Sequence, residues 1–169
     1  MDRKNIVLVG FMGTGKTTVA KALARKLRMH YVSTDALIEK REGMTIADIF
    51  SQKGEGHFRD IEAKVAAEAA GSSGAVIDTG GGIVMRNENI AALRKNGIVV
   101  CLEAGPADIL ERTARAAHRP LLNVEDPKKA VEELLKARAA HYGKADHRVD
   151  TSALSVDEVV KKIVEIVRN

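Results

Sequence analysis

Tryptophan is absent from this 169-residue chain, and aromatic residues of every kind make up only 3% of it. Its core must therefore be aliphatic, drawn from the Val, Ile, Leu, Ala and Met that dominate a 45% hydrophobic content. One cysteine, Cys101, excludes an internal disulfide. A reducing, cytosolic setting is the matching expectation. No window approaches the roughly 18 apolar residues that cross a bilayer. The short apolar run before Gly10 is too brief for a secretory signal. Charge is nearly balanced, with 27 basic against 23 acidic residues and a net +4. That excess suits anionic small molecules. No Lys/Arg run or basic stretch interleaved with aromatics occurs, so a nucleic-acid partner is not expected. Repeats, low-complexity tracts and linkers are also missing, and the length fits one domain over residues 1–169.

What is present is an alternation of short apolar runs and longer helical patterns. Residues 6–9 ("IVLV"), 75–77 ("AVI") and 98–102 ("IVVCL") are continuously apolar, as strands covered on both faces are. Residues 31–32 and 147–149 are weaker strand candidates. Helical patterns occupy 16–27, 46–52, 55–70, 88–95, 107–116, 127–142 and 156–167. Strand–helix alternation of this kind predicts an α/β fold built on a parallel sheet.

Between the first run and the first helix lies "GFMGTGKT", Gly10 to Thr17, a complete G-x-x-x-x-G-K-[ST] pattern in the context it requires. Without side chains, successive backbone N–H groups can curl around oxyanions at the positive end of a helix. Gly13, Thr14, Gly15, Lys16, Thr17 and Thr18 are thus the expected ATP contacts. Lys16 reaches the β- and γ-phosphates, and the Thr17 hydroxyl ligates Mg²⁺. A guanine-reading N-K-x-D is absent, and motor ATPases generally need a longer chain. The residues favour a small kinase. A gluconate or nucleoside monophosphate kinase, or a non-catalytic ATP-dependent module, remains open.

An acceptor site requires further groups. Asp35 follows a short strand and opens a helix in "STDALIE"; it is either a ligand-binding carboxylate or an N-cap. Arg59, in "GHFRDIE", either meets a ligand or is a solvated helix charge paired with Glu62. The triplet Gly80, Gly81 and Gly82 directly after a strand predicts close approach of a ligand, at the strand end where parallel sheets bind them. "ERTARAAHRPLLNVED", with Arg112 and Arg119, reads as a cationic lid over a triphosphate.

Taken together, "GFMGTGKTT", "STDALIEKREGMTIADIF", "GEGHFRDIE", "DTGGGIV", "HRPLL" and "RAAHY" resemble the shikimate kinase family, in order and spacing over nearly the whole chain. The resemblance implies a three-layer α/β/α P-loop kinase with a five-stranded parallel sheet ordered 2-3-1-4-5. It implies a substrate-binding region near residues 34–70 and a lid near 112–124. The implied reaction transfers the γ-phosphoryl group of ATP, with Mg²⁺, to the 3-hydroxyl of shikimate, on the route to chorismate and aromatic amino acids. The implied protein is a cytoplasmic monomer. In that family pattern Asp35 accepts from the ring hydroxyls, Arg59 and Arg138 clamp the carboxylate, and the Gly80–Gly82 backbone lines the ring. Lys16 and Arg119 stabilise the γ-phosphoryl, making Lys16, Asp35 and Arg119 the catalytic set, and Arg112 lies against adenine. Such a set also makes physical sense, since a guanidinium fork suits a carboxylate and a carboxylate suits hydroxyls.

Two departures stand out. The family's D-x-D becomes Ser33-Thr34-Asp35 here, losing the carboxylate expected near Mg²⁺. Conversely, Asp78 directly follows the apolar run 75–77, at the end of the third expected strand, and is the candidate replacement beyond the ion's direct ligands, unless it is merely a turn or cap acid. The loop "DTSALSV" should lie beside adenine, with Ser155 as its backbone contact. Cys101 reads as an inert core thiol, and the five histidines lack metal-ligand spacing.

Overall fold

Three apolar runs become the centre of the sheet because nothing in them needs water. A computed structural model describes residues 4–114 and 124–168. In it β1 (Asn5–Gly10) and β3 (Ala75–Asp78) are buried throughout, and β4 (Gly97–Glu103) nearly so. The more polar β2 (His30–Ser33) and β5 (His147–Asp150) take the edges. The order is β2-β3-β1-β4-β5 with every pairing parallel.

Side-chain alternation then divides the core in two. Ile6, Leu8, Val76, Val100 and Leu102 face α1 (Lys16–Leu27) and α7 (Val156–Arg168). Val7, Val9, Ile77, Val99 and Cys101 face the opposite layer. That layer contains α3 (Ile46–Ala70), α4 (Asn87–Lys95), α5 (Pro106–Ala114) and α6 (Pro127–Tyr142). Each fully buried aliphatic side chain contributes about 1.5–3 kcal/mol. Cys101 is buried in this core, and burial drives its thiol pKa up to about 12, in keeping with an inert core thiol.

A satellite unit frames the acceptor side. α2 (Thr34–Glu42) leaves β2 without a loop, and Ser33 caps it by accepting from the Ala36 N–H at 3.2 Å. The cap is therefore Ser33, and Asp35 lies in the first turn. Ile38, Ile49, Phe58, Ile61 and Val65 pack α2 against α3. Glu42 braces both helices, bonding Lys53 Nζ and His57 Nε2 at 2.8 Å each. The expected helices 46–52 and 55–70 form one element broken at Gly54, whose φ of 82° and ψ of 167° favour glycine.

Candidate active site

β1 ends and α1 begins around a loop whose glycines carry its shape. Gly13 and Gly15 have φ of 77° and 92°, in the left-handed region that penalises a Cβ. A Cβ on Gly13 would also sit 2.9 Å from the Thr113 methyl carbon. Gly15 caps α1 without a side chain, which leaves the first-turn amides of the helix to an anion. Lys16 is buried, and its Nζ donates to the carbonyls of Gly10 at 2.8 Å and Phe11 at 2.9 Å. Thr14 donates to Phe11 O at 2.7 Å, and Thr18 is exposed on the first turn of α1. The loop is tied from behind by Arg112, which donates to Gly13 O at 3.3 Å, and by Thr151, which donates to Thr14 O at 3.1 Å. Arg112 also donates to the Thr151 hydroxyl and carbonyl, both at 3.1 Å.

A second corner forms where α2, α3 and the β3 exit meet. Asp35 Oδ1 would lie 2.8 Å from a Cβ on Gly80, and Glu62 Oε1 would lie 3.3 Å from it. The Arg59 guanidinium covers Gly82 so closely that a Cβ there would be 2.5 Å from both terminal nitrogens. Arg59 Nη1 donates to Glu62 Oε2 at 2.7 Å, and its guanidinium carbon lies 5.1 Å from the Phe58 ring centroid. From α6, Arg138 lies over Phe11 at 5.7 Å, and Tyr142 donates to Gly81 O at 2.7 Å. Arg138 and Arg59 both act electrostatically on Glu62 and on Tyr142, and the Asp35 charge also acts on Glu62. Burial pushes Tyr142 up to about 12, so it remains a donor.

Glu62 is the residue the sequence reading undervalued. The Arg59–Glu62 pair forms, but it is not solvated, because Glu62 is only 1% exposed. Its Oε1 has no hydrogen-bond partner among the described residues. Burial raises its pKa above the usual carboxylate range, with Arg59 pulling back. The signal was present: Glu62 shares its helical face with Phe58, Val65, Ala66 and Ala69, all buried.

A third corner lies between α1 and the β2–β3 pair. Asp78 Oδ2 accepts from the Thr17 hydroxyl at 2.7 Å and from the Tyr31 phenol at 2.9 Å. Burial, then the Asp78 charge, raises the Tyr31 pKa to about 12. A hydroxyl and a carboxylate are hard oxygen donors. No group of three or more His, Cys, Asp or Glu able to hold a metal occurs among the described residues. Such sparse protein ligation fits Mg²⁺, which binds through one or two protein oxygens plus phosphates.

Two expectations are not placed here. Arg119, with residues 115–123 of the expected lid, lies outside the described residues. The Ser155 amide and hydroxyl both engage Glu158, at 2.8 and 2.7 Å, at the start of α7. Ser155 and Glu158 thus form a capping pair at the start of that helix. No helix is long and apolar enough to cross a membrane among the described residues.

Comparisons with known proteins follow the same outline. The family model "SKI: Shikimate kinase" matches residues 12–168. A shikimate kinase from Thermodesulfovibrio yellowstonii is 48% identical over 162 residues, spanning 96% of this chain and 94% of its own. One from Caldanaerobacter subterraneus subsp. tengcongensis is 45% identical, spanning 95% and 94%. The solved shikimate kinase from Acinetobacter baumannii in complex with shikimate superposes with a TM-score of 0.93 at 37% identity, covering 98% of this chain and 93% of that one.

Proposed function

The chain belongs to the shikimate kinase family, an ATP-using family, and we propose that its three corners divide the phosphorylation of the shikimate 3-hydroxyl between them. The observation carrying this reading is the convergence of Arg59, Arg138, Asp35 and the Gly80–Gly82 backbone beside the phosphate loop.

In this reading, Arg59 and Arg138 hold the substrate carboxylate and Asp35 accepts from the ring hydroxyls. Gly80, Gly81 and Gly82 let the ring lie against bare backbone. The amides from Gly13 to Thr18 cradle the triphosphate, and Arg112 supports the adenine side. The 3-hydroxyl oxygen bonds to the γ-phosphorus as the bond from phosphorus to the β–γ bridging oxygen breaks. The hydroxyl proton departs toward Asp35. Lys16 and Arg119 offset charge on the equatorial oxygens. Thr17 would hold Mg²⁺, with Asp78 behind it accepting from the Thr17 hydroxyl, and the ion would supply charge neutralisation for the phosphates. Single-domain organisation, with residues 34–70 binding substrate and 112–124 closing over it to exclude water, belongs to the same proposal. So does a monomeric, cytoplasmic protein, in keeping with its lone buried cysteine.

An acceptor panel tests the assignment. ADP release, followed with shikimate, gluconate, CMP and AMP, should occur with shikimate alone. Comparable kcat/KM for gluconate or a nucleotide would overturn the acceptor, and ATP turnover with none of the four would point to a non-catalytic module.

Gly82→Ala probes the carboxylate clamp without touching it chemically. Gly82 has φ of −95° and ψ of 2°, which alanine adopts, so the backbone is not the obstacle. The added methyl displaces the Arg59 guanidinium instead. Charge-assisted hydrogen bonds contribute about 1.5–3 kcal/mol, so shikimate affinity should fall roughly 10- to 100-fold. ATP affinity should stay near wild type, while the unfolding midpoint should fall, because the displaced guanidinium loosens its pair with the buried Glu62. Calorimetric titration and thermal melts check both halves; unchanged shikimate affinity would remove Arg59 from the clamp.

A further inference from the structure

The sheet itself explains how a carboxylate can change strands. Ser33 and Asp78 are register partners on β2 and β3. Cα partners on adjacent strands share a face, about 5 Å apart. Asp78 thus sets a carboxylate one strand over from position 33, and its Oδ2 accepts from the Thr17 hydroxyl. The move has a geometric consequence, because Asp78 ends a four-residue strand and must be aimed from its new origin.

We infer that Tyr31 is the positioning residue for the divalent cation: its phenol pins Asp78 Oδ2, which in turn fixes the Thr17 hydroxyl. The inference rests on the reading of Thr17 and Asp78 as the protein oxygens nearest the metal. Three observations carry it. First, both donors converge on the same carboxylate oxygen, at 2.7 and 2.9 Å. Second, Tyr31 is 36% exposed, so packing alone does not explain a tyrosine there. Third, the ring is held from α1, where Lys21 Nζ lies 5.6 Å from its centroid. Lys21 is one helical turn beyond Thr17, so the same helix face presents the hydroxyl and steadies the phenol. Accepting Asp78 as partner, the Thr17 hydroxyl spends its proton on the carboxylate and keeps a lone pair for the metal.

Outer groups that orient metal ligands typically change affinity 10- to 100-fold when removed. Tyr31 is one of two donors to Asp78, so the lower end of that range applies. The test titrates the full-length protein with ADP calorimetrically, once in EDTA and once in Mn²⁺. The ratio of the two affinities reports the metal's contribution independently of turnover. Tyr31→Phe keeps the ring over Lys21 and removes only the hydroxyl. That ratio should shrink about three- to tenfold, with ADP affinity in EDTA and shikimate affinity unchanged. The half-saturating Mg²⁺ for turnover should rise by a similar factor. Asp78→Asn should shrink the ratio further, and adding Tyr31→Phe to it should have no additional effect. A reduced ratio in Asp78→Asn but not in Tyr31→Phe overturns the role of Tyr31 and leaves the metal reading standing. An unchanged ratio in both variants overturns the metal reading itself. A lowered unfolding midpoint with an unchanged ratio makes Tyr31 structural only and also overturns the inference.

Discussion

Lys16→Met is expected to lower kcat by about 10³-fold, in line with losses on removing a preorganised charge from a reacting oxyanion. The size follows from where the ammonium sits. It is buried at the loop and already fixed by two carbonyls, at 2.8 and 2.9 Å. The carbonyls hold the ammonium beside the phosphate loop, and low solvent access leaves its charge weakly screened. Methionine fills similar volume, so the loop's packing is retained while the cation is lost. ATP affinity should fall about tenfold, because part of the interaction is already made to the bound phosphates. Shikimate binding without nucleotide should be unchanged, since the acceptor corner is built by other elements. Steady-state ADP release with calorimetry on each substrate separates these effects. A kcat within tenfold of wild type would contradict the assignment.

The parts of this fold that were readable share one property, complete burial. β1, β3 and β4 are apolar because both faces are covered, and the phosphate loop is readable because bare backbone demands glycine at fixed positions. The edge strands were faint: β2 reads "HYVS" and β5 reads "HRVD", with solvent on one side. The strand order came from family resemblance, since pairing partners of parallel strands are not encoded locally. In the site, arginines and glycines stood out by type, whereas Glu62 and Tyr31 did not. Glu62 has an obvious local partner at i−3 that hides its burial, and a tyrosine in a short polar strand looks like surface. Scarcity was the overlooked signal. The chain has only two Tyr and three Phe. Both phenols bond at the site, Phe11 and Phe58 lie against its arginines, and Phe50 packs 4.6 Å from Phe58.

Asp35→Ala is expected to reduce kcat by about 10³-fold, and Asp35→Asn by about 10²-fold, within the range for groups that orient or deprotonate a nucleophile. The difference between them distinguishes those two roles. A loose phosphoryl-transfer transition state develops little bonding to the attacking oxygen, so its proton is still largely held when the barrier is crossed. Alignment then matters more than basicity. Asparagine keeps one carbonyl acceptor beside Gly80 and can still direct the hydroxyl, whereas alanine cannot. The surroundings favour an aligning role as well. Glu62 faces the same glycine, and its raised pKa includes a contribution from the Asp35 charge. Arg59 and Arg138 act in the opposite direction on Glu62, so the corner sets two cations against its two carboxylates, a setting suited to holding ring hydroxyls in place. KM for shikimate should rise in both variants, because the ring hydroxyls lose a charged acceptor in each. Equal losses of kcat in Asn and Ala, measured at saturating shikimate, would mean that proton acceptance governs the step and that alignment alone does not.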